Sequence, residues 1–170
     1  LPCALLQVAR GGQLVHRSVL GKTSLESGAP LAEDSIVRIY SMTKPITSVA
    51  FMMLVEQGLV ALDDPVHRYI PSWRDLGVYV AGSGGLPGTP PGWQTRPTDA
   101  PMRMIDLLRH TSGLTYGFQA RTNVDAAYRQ HKVDPFERAE GIDSFIDTLS
   151  KLPLEFSPGT AWNYSVSTDV

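Results

Sequence analysis

Two apolar runs open the chain. Ala4–Ala9 and Leu14–Leu20 are rich in aliphatic residues and are joined by Arg10-Gly11-Gly12-Gln13. Paired glycines supply the backbone that a tight turn between strands needs, so this stretch predicts a β-hairpin. Ser35–Tyr40 predicts a third short extended run. The period then changes. Ile46, Val49, Ala50, Met53 and Leu54 recur at three- and four-residue spacing, which predicts an amphipathic helix from Ser41 to Gln57, with Gly58 ending it. Leu62-Asp63-Asp64-Pro65 predicts an Asp cap with proline in the next first turn. Glycine and proline crowd the stretch 82–101, in Gly82-Ser83-Gly84-Gly85 and Thr89-Pro90-Pro91-Gly92, which predicts a long loop. Helical spacing returns in Met104–Leu108 and closes at His110-Thr111-Ser112-Gly113. A polar helix is predicted at Val124–His131, capped by Asn123. Another is predicted at Ile142–Leu152, with Phe145, Ile146 and Leu149 on one face. Phe156-Ser157-Pro158-Gly159-Thr160 predicts a tight turn, and Ser167–Val170 the start of a helix. No internal repeat is present. A hairpin alone is marginal in water, so its two strands call for neighbours expected beyond Val170. The chain opens on a strand and stops where a helix begins, which reads as a fragment cut at both ends.

Composition narrows the class. The 170 residues suffice for one domain with a sizeable core, and 42% hydrophobic with 19% charged residues is ordinary for a globular protein. A net charge of -2 with no basic cluster argues against nucleic acid as a partner. The largest apolar runs, such as Val49–Val55, are too short to span a bilayer. No charged-then-apolar leader opens the chain, which leaves the compartment open between cytoplasm and periplasm. A single cysteine, Cys3, excludes an internal disulfide. His16, His67, His110 and His131 are too scattered for a metal pair, and neither metal nor organic cofactor is expected. Oligomeric state is not set by the sequence.

The candidate chemistry lies in Ser41-Met42-Thr43-Lys44. On a helix, residues three apart share a face, so the Lys44 amine can sit beside the Ser41 hydroxyl. A serine hydroxyl is a poor nucleophile until a neighbouring base takes its proton. Lysine serves as that base only when neutral, a form favoured by burial and by a nearby positive charge. Pro45 fits a first helical turn and would break a helix interior. The tetrapeptide also fits a plain serine N-cap followed by a solvated lysine. Tyr164, after a Pro-Gly turn, also fits a core tyrosine with a satisfied hydroxyl. The Gly-x-Ser-x-Gly elbow of other hydrolases is absent, because Ser83 has Ala81 where the first glycine belongs. His110 and Ser112 invite a Ser–His reading, but residues this close at a helix end point apart, and the segment reads as a C-terminal turn.

Ser41-Met42-Thr43-Lys44-Pro45, Leu62-Asp63-Asp64-Pro65, Leu107-Leu108-Arg109-His110-Thr111-Ser112-Gly113-Leu114 and Phe156-Ser157-Pro158-Gly159-Thr160 with Tyr164-Ser165 occur in one order. As a set they resemble the class C β-lactamase-like, penicillin-recognising serine hydrolases, and most closely their esterase branch, the family VIII carboxylesterases. The resemblance covers nearly the whole chain. It implies an α/β (α+β) β-lactamase/transpeptidase-like fold, an antiparallel sheet flanked by helices plus a mostly helical subdomain. Residues 1–60 and 161–170 would form the sheet and nucleophile-helix part, and 61–160 the helical subdomain. It implies that Ser41 attacks the acyl carbon, that Lys44 and Tyr164 share the proton, and that the Ser41 backbone N–H forms half of an oxyanion hole. The other half would come from a later strand, so the isolated chain is expected to be inactive. The β-lactamases and peptidases of the group usually carry Tyr-x-Asn, whose amide binds the substrate. Val166 stands at that position and cannot make those hydrogen bonds, which favours small-molecule esters over β-lactams or peptides. Tyr116, Phe118 and Gln119 are candidates for the acyl pocket. The expected activity is ester hydrolysis through an acyl-serine. β-Lactamase, DD-peptidase and acyltransferase are the enzymatic alternatives, and a ligand-binding pseudoenzyme or incomplete fragment is the non-enzymatic one.

Overall fold

The computed structural model describes residues 2–82, 92–134 and 141–170. The loop expected at Ser83-Gly84-Gly85 and Thr89-Pro90-Pro91 lies outside them. Two compact units emerge, Leu1–Ser41 and Met42–Val170.

The first unit is built on the predicted hairpin. Strands β1 (Cys3–Arg10) and β2 (Gln13–Gly21) pair antiparallel, with Arg10 opposite Gln13 and a bulge between Val8 and Ala9. Gly11 and Gly12 both take positive φ, 57° and 79°, as the two-residue turn requires. Lys22 bridges to Pro30, and Arg17 pairs with Glu33 at 2.5 Å. The extended run expected at Ser35–Tyr40 forms no strand: residues 35–39 are irregular and Ile36 is fully exposed. A β-branched run becomes a strand only where a neighbour accepts its hydrogen bonds, and no described strand pairs with it.

The second unit opens with helix α1 (Thr43–Glu56), somewhat shorter than predicted because Tyr40–Met42 form a 3-10 turn ahead of it. Gly58 ends α1 as predicted: its N–H bonds Val55 O, and Leu59 N–H bonds Leu54 O, which satisfies the last carbonyls. Strand β3 (Val78–Ala81) pairs with β4 (Gln94–Arg96), so part of the expected 82–101 loop is a strand, held by an edge-on Tyr79–Trp93 contact. Leu154 adds a bridge to Val78. Helix α2 (Met104–Leu108) has the predicted bounds. Helix α3 (Asn123–Gln130) is capped by Thr122, whose hydroxyl accepts from Asp125 N–H, one residue ahead of the expected Asn123 cap. Asp125 in turn accepts from the Thr122 N–H, a reciprocal box that fixes the start. Helix α4 (Ile142–Leu149) stops three residues short of the predicted end. Its Phe145 and Leu149 enter a core with Val66, Leu114, Val124, Tyr128, Val133, Leu154 and Val166.

Two segments of this unit run side by side. Glu155 N–H bonds Gly113 O, Gly159 N–H bonds Thr111 O, Asn163 N–H bonds His110 O, and Val166 N–H bonds Thr115 O. This ladder ties the turn after α2 to the stretch carrying Tyr164. Asp106 anchors the turn. It is 1% exposed and accepts from Arg103 N–H, the Thr111 hydroxyl and the Arg109 guanidinium. A buried carboxylate is tolerated only with such a full set of donors. Gly113 has φ 90°, and a Cβ there would lie 2.3 Å from Phe156 O. Gly113→Ala is therefore expected to destabilise the full-length protein by at least about 2 kcal/mol, from left-handed strain plus the clash. Urea unfolding at equilibrium measures the change in midpoint.

Candidate active site

Lys44 lies in the first turn of α1, and its side chain is only 13% exposed. A cation so far out of water needs partners. Its Nζ donates to the Tyr116 hydroxyl at 2.8 Å and faces both Asp169 carboxylate oxygens at 3.4 Å. Tyr116 closes the triangle by donating its O–H to Asp169 Oδ2 at 2.7 Å. Burial, then the hydrogen bond and charge of Asp169, then the charges of Tyr164 and Asp134 push the Tyr116 phenol well above its usual value. Tyr116 is thus a fixed neutral donor and acceptor between cation and anion.

Tyr164 completes the cluster. Lys44 Nζ lies 5.5 Å from the Tyr164 ring centre and 5.5 Å from that of Tyr116. The two tyrosine rings are 5.5 Å apart. His110 packs on the other side of Tyr164 at 4.8 Å between ring centres, with Trp162 edge-on to His110. Burial, helped by the Lys44 charge and opposed by Asp169, holds His110 below its usual value. Behind this wall Ser112, Ser165 and Ser167 form a buried chain of hydroxyls, with Ser167 Oγ 2.6 Å from each of the others.

The loop bearing Tyr116 is fixed from below. The Asp134 carboxylate accepts from Gly117 N–H at 2.8 Å and Phe118 N–H at 3.1 Å, and Arg129 donates to Gly117 O. Of the predicted pocket residues, Tyr116 belongs to the Lys44 triangle. Phe118 stacks on Tyr116 at 4.8 Å and is 59% exposed. Gln119 donates from Nε2 to the Tyr164 carbonyl oxygen. Val166 is wholly buried in the core, so its side chain faces no solvent-filled space. Ser41 is the last residue of the first unit and sits in the Tyr40–Met42 turn that runs into α1. The helix N-cap position falls on Met42 rather than Ser41. Tyr40, immediately before Ser41, has φ 46°, a left-handed conformation that costs a non-glycine residue roughly 1 kcal/mol and that clusters at functional sites. Asp169 and His110 were not predicted as site residues. The signal for Asp169 was a lone carboxylate five residues past Tyr164, and nothing local marks it as the partner of a lysine 125 positions earlier. Among the described residues no cluster could hold a metal ion, and no helix is long and apolar enough to cross a membrane.

The fold matches known proteins. A hydrolase with promiscuous acyltransferase activity, EstCE1, superposes with a TM-score of 0.75 at 21% identity, over 98% of this chain and 39% of that one. That likeness defines a β-lactamase/transpeptidase-like fold. The beta-lactamase family model matches residues 1–170, and the chain belongs to that family of serine hydrolases, which includes esterases and acyltransferases. An uncharacterised protein of Mycobacterium tuberculosis is 35% identical over 167 residues, covering 98% of this chain and 39% of its own length. Esterase EstB of Burkholderia gladioli is 33% identical over 169 residues, covering 98% of this chain and 38% of its own length. The chain thus spans well under half the length of these relatives.

The Tyr116 phenol gives the cluster a testable signature. A phenol whose folded-state value is raised keeps its proton where the unfolded chain's phenol loses it, so stability is intact below about pH 10 and falls as the pH rises above it. Tyr116→Phe is expected to flatten that alkaline decline by one proton's worth of slope. At neutral pH it should cost about 1–3 kcal/mol, by stripping Lys44 and Asp169 of their shared partner. Urea midpoints measured from pH 7 to pH 11 check both effects.

Proposed function

We propose that the full-length protein is a serine hydrolase that cleaves carboxylic esters through a covalent acyl-Ser41. The observation that carries this reading is the Lys44 cation, held by Tyr116 and Asp169, 5.5 Å from the Tyr164 ring, with Ser41 three residues ahead of it in the chain. In this reading Ser41 Oγ bonds the acyl carbon while the carbonyl π pair moves to oxygen. Tyr164 acts in this scheme as the phenolate and takes the hydroxyl proton, becoming the neutral phenol. As the tetrahedral species collapses, the carbon–oxygen bond to the alcohol breaks, and Tyr164 returns the proton to the leaving oxygen. Water then repeats the sequence on the acyl-enzyme, and Ser41 recovers its proton.

Lys44 supplies charge in this scheme. With Asp169 and Tyr116 on its ammonium, it is placed to stabilise negative charge on the neighbouring phenol by Coulomb attraction, which favours Tyr164 as the group that exchanges the proton. The sheet and nucleophile-helix part, 1–60 with 161–170, and the helical subdomain, 61–160, are proposed as the two parts of one β-lactamase-like domain. The second oxyanion donor is assigned to no residue of this chain. Val166 supports esters over β-lactams, since a wholly buried valine two residues past Tyr164 offers a substrate amide nothing to bond. The identity to esterase EstB supports the same choice.

An alkyl p-nitrophenyl phosphonate should label Ser41 and nothing else, as read by mass spectrometry, and Ser41→Ala should abolish turnover with the fold intact. The kcat/KM for p-nitrophenyl butyrate should exceed that for nitrocefin by at least about two orders of magnitude. A label elsewhere sinks the nucleophile, and fast nitrocefin turnover sinks the ester preference.

A further inference from the structure

We propose that His110 is the positioning residue of Tyr164: its ring and its own carbonyl hold the backbone N–H groups of Ser165 and Asn163, the residues on either side of the proposed proton-transfer residue. This rests on the reading of Tyr164 given above.

The geometry is specific. Asn163 N–H donates to His110 O at 3.0 Å, just before Tyr164. Ser165 N–H donates to His110 Nδ1 at 3.3 Å, just after it. Between these two anchors the His110 ring lies 4.8 Å from the Tyr164 ring. Trp162 lies edge-on to the His110 ring, at 6.3 Å between centroids. His110 adopts φ 60°, a left-handed backbone that a non-glycine residue holds only at a cost. That backbone follows α2 directly and aims the carbonyl and the ring at the same strand of chain. The Asn163 side chain reinforces the first anchor by donating to Leu114 O, Thr115 Oγ1 and Glu155 Oε2.

The second anchor depends on protonation. Nδ1 accepts from Ser165 N–H, so it carries no proton, and a neutral ring holds its hydrogen on Nε2. A second proton turns Nδ1 into a donor facing a donor, and the anchor is lost. The groups facing the ring are Lys44 from α1, Asp169 from the last 3-10 turn, Tyr164, and the Ser165 hydroxyl at 3.4 Å from Nδ1. Burial and the Lys44 cation hold the ring neutral, against the pull of Asp169. The clamp is therefore present at neutral pH and released as the pH falls through the lowered value of His110.

Asparagine separates this role from general packing. Its side-chain oxygen stands close to where Nδ1 stands, accepts a hydrogen bond, does not titrate, and tolerates positive φ. Glycine tolerates the backbone but offers no acceptor and no ring. In the full-length protein, His110→Asn should keep kcat for p-nitrophenyl butyrate within about threefold of wild type at pH 8, and its acid limb should move to lower pH. His110→Gly should lower kcat by about tenfold or more with KM within about twofold, because the substrate contacts are untouched while the phenol is loosened. If His110→Gly does not fold by thermal unfolding, His110→Asn decides alone. An acid limb identical to wild type, or a kcat as low as that of a glycine variant, overturns the proposal. Phosphonate labelling separates the two readings. No label on Ser41 in wild type removes the hydrolase reading itself. A labelling rate in His110→Gly equal to wild type, with wild type labelled at Ser41, removes only the role of His110.

Discussion

The second unit is organised around one cation that has little access to water. In a site 13% exposed, the Lys44 ammonium faces the opposite charge of Asp169 and a Tyr116 hydroxyl that bonds both. Each member of the triangle comes from a different part of the chain: the first turn of α1, the loop after Gly113, and the final 3-10 turn. Satisfying the ammonium therefore forces three distant segments together, and Tyr164 is carried into the same place by the ladder from residues 110–115 to 155–166. The cost of burying an unpaired lysine is the constraint that makes the arrangement specific.

Much of this was legible in sequence because local chemistry fixed it. The glycine pair set the hairpin turn, the three- and four-residue spacing set α1 and α2, and Gly58 marked the end of α1. Local signals failed where long-range pairing decides. Ser35–Tyr40 has the composition of a strand and no strand to pair with. Gln94–Arg96 has the flanks of a loop and becomes a strand because β3 lies beside it and Tyr79 packs on Trp93. The site shows the same division. The S-x-x-K spacing points to Lys44, while Asp169 carries no local mark and His110 reads as part of a plain turn, since the contacts that give them meaning span 125 and 54 positions of chain.

The apolar surface left open has a physical meaning of its own. Helix α1 has no buried residue, and Ile46, Val49 and Met53 are each more than half exposed. Within the hairpin, neighbouring Leu5 and Leu6 are exposed by 42% and 54%, as are Leu14 and Val15 by 47% and 60%. Side chains that alternate across a strand leave a sheet apolar on both faces only when both faces are covered. Helix α1 likewise leaves apolar side chains such as Ile46, Val49 and Met53 open to solvent. Each such aliphatic side chain left in water forgoes about 1.5–3 kcal/mol of burial. The chain covers 38–39% of the length of these relatives.

Precision at Tyr164 then has to come from the part of the structure that is fully packed. The wall behind Tyr164 is dense: Ser112, Ser165, Ser167 and Val166 are all at most 1% exposed. A reacting phenol must be held to within a few tenths of an ångström to exchange a proton efficiently, and rigid backbone anchored in a core provides that better than side-chain contacts in a cleft. His110 is where the dense wall reaches the cluster. Its main chain belongs to the buried turn organised by Asp106, and its ring touches Tyr164. The unusual φ at that position is what lets one residue face both ways. The turn that reads in sequence as a plain helix terminus thereby links the stability of the core to the placement of the proposed proton carrier.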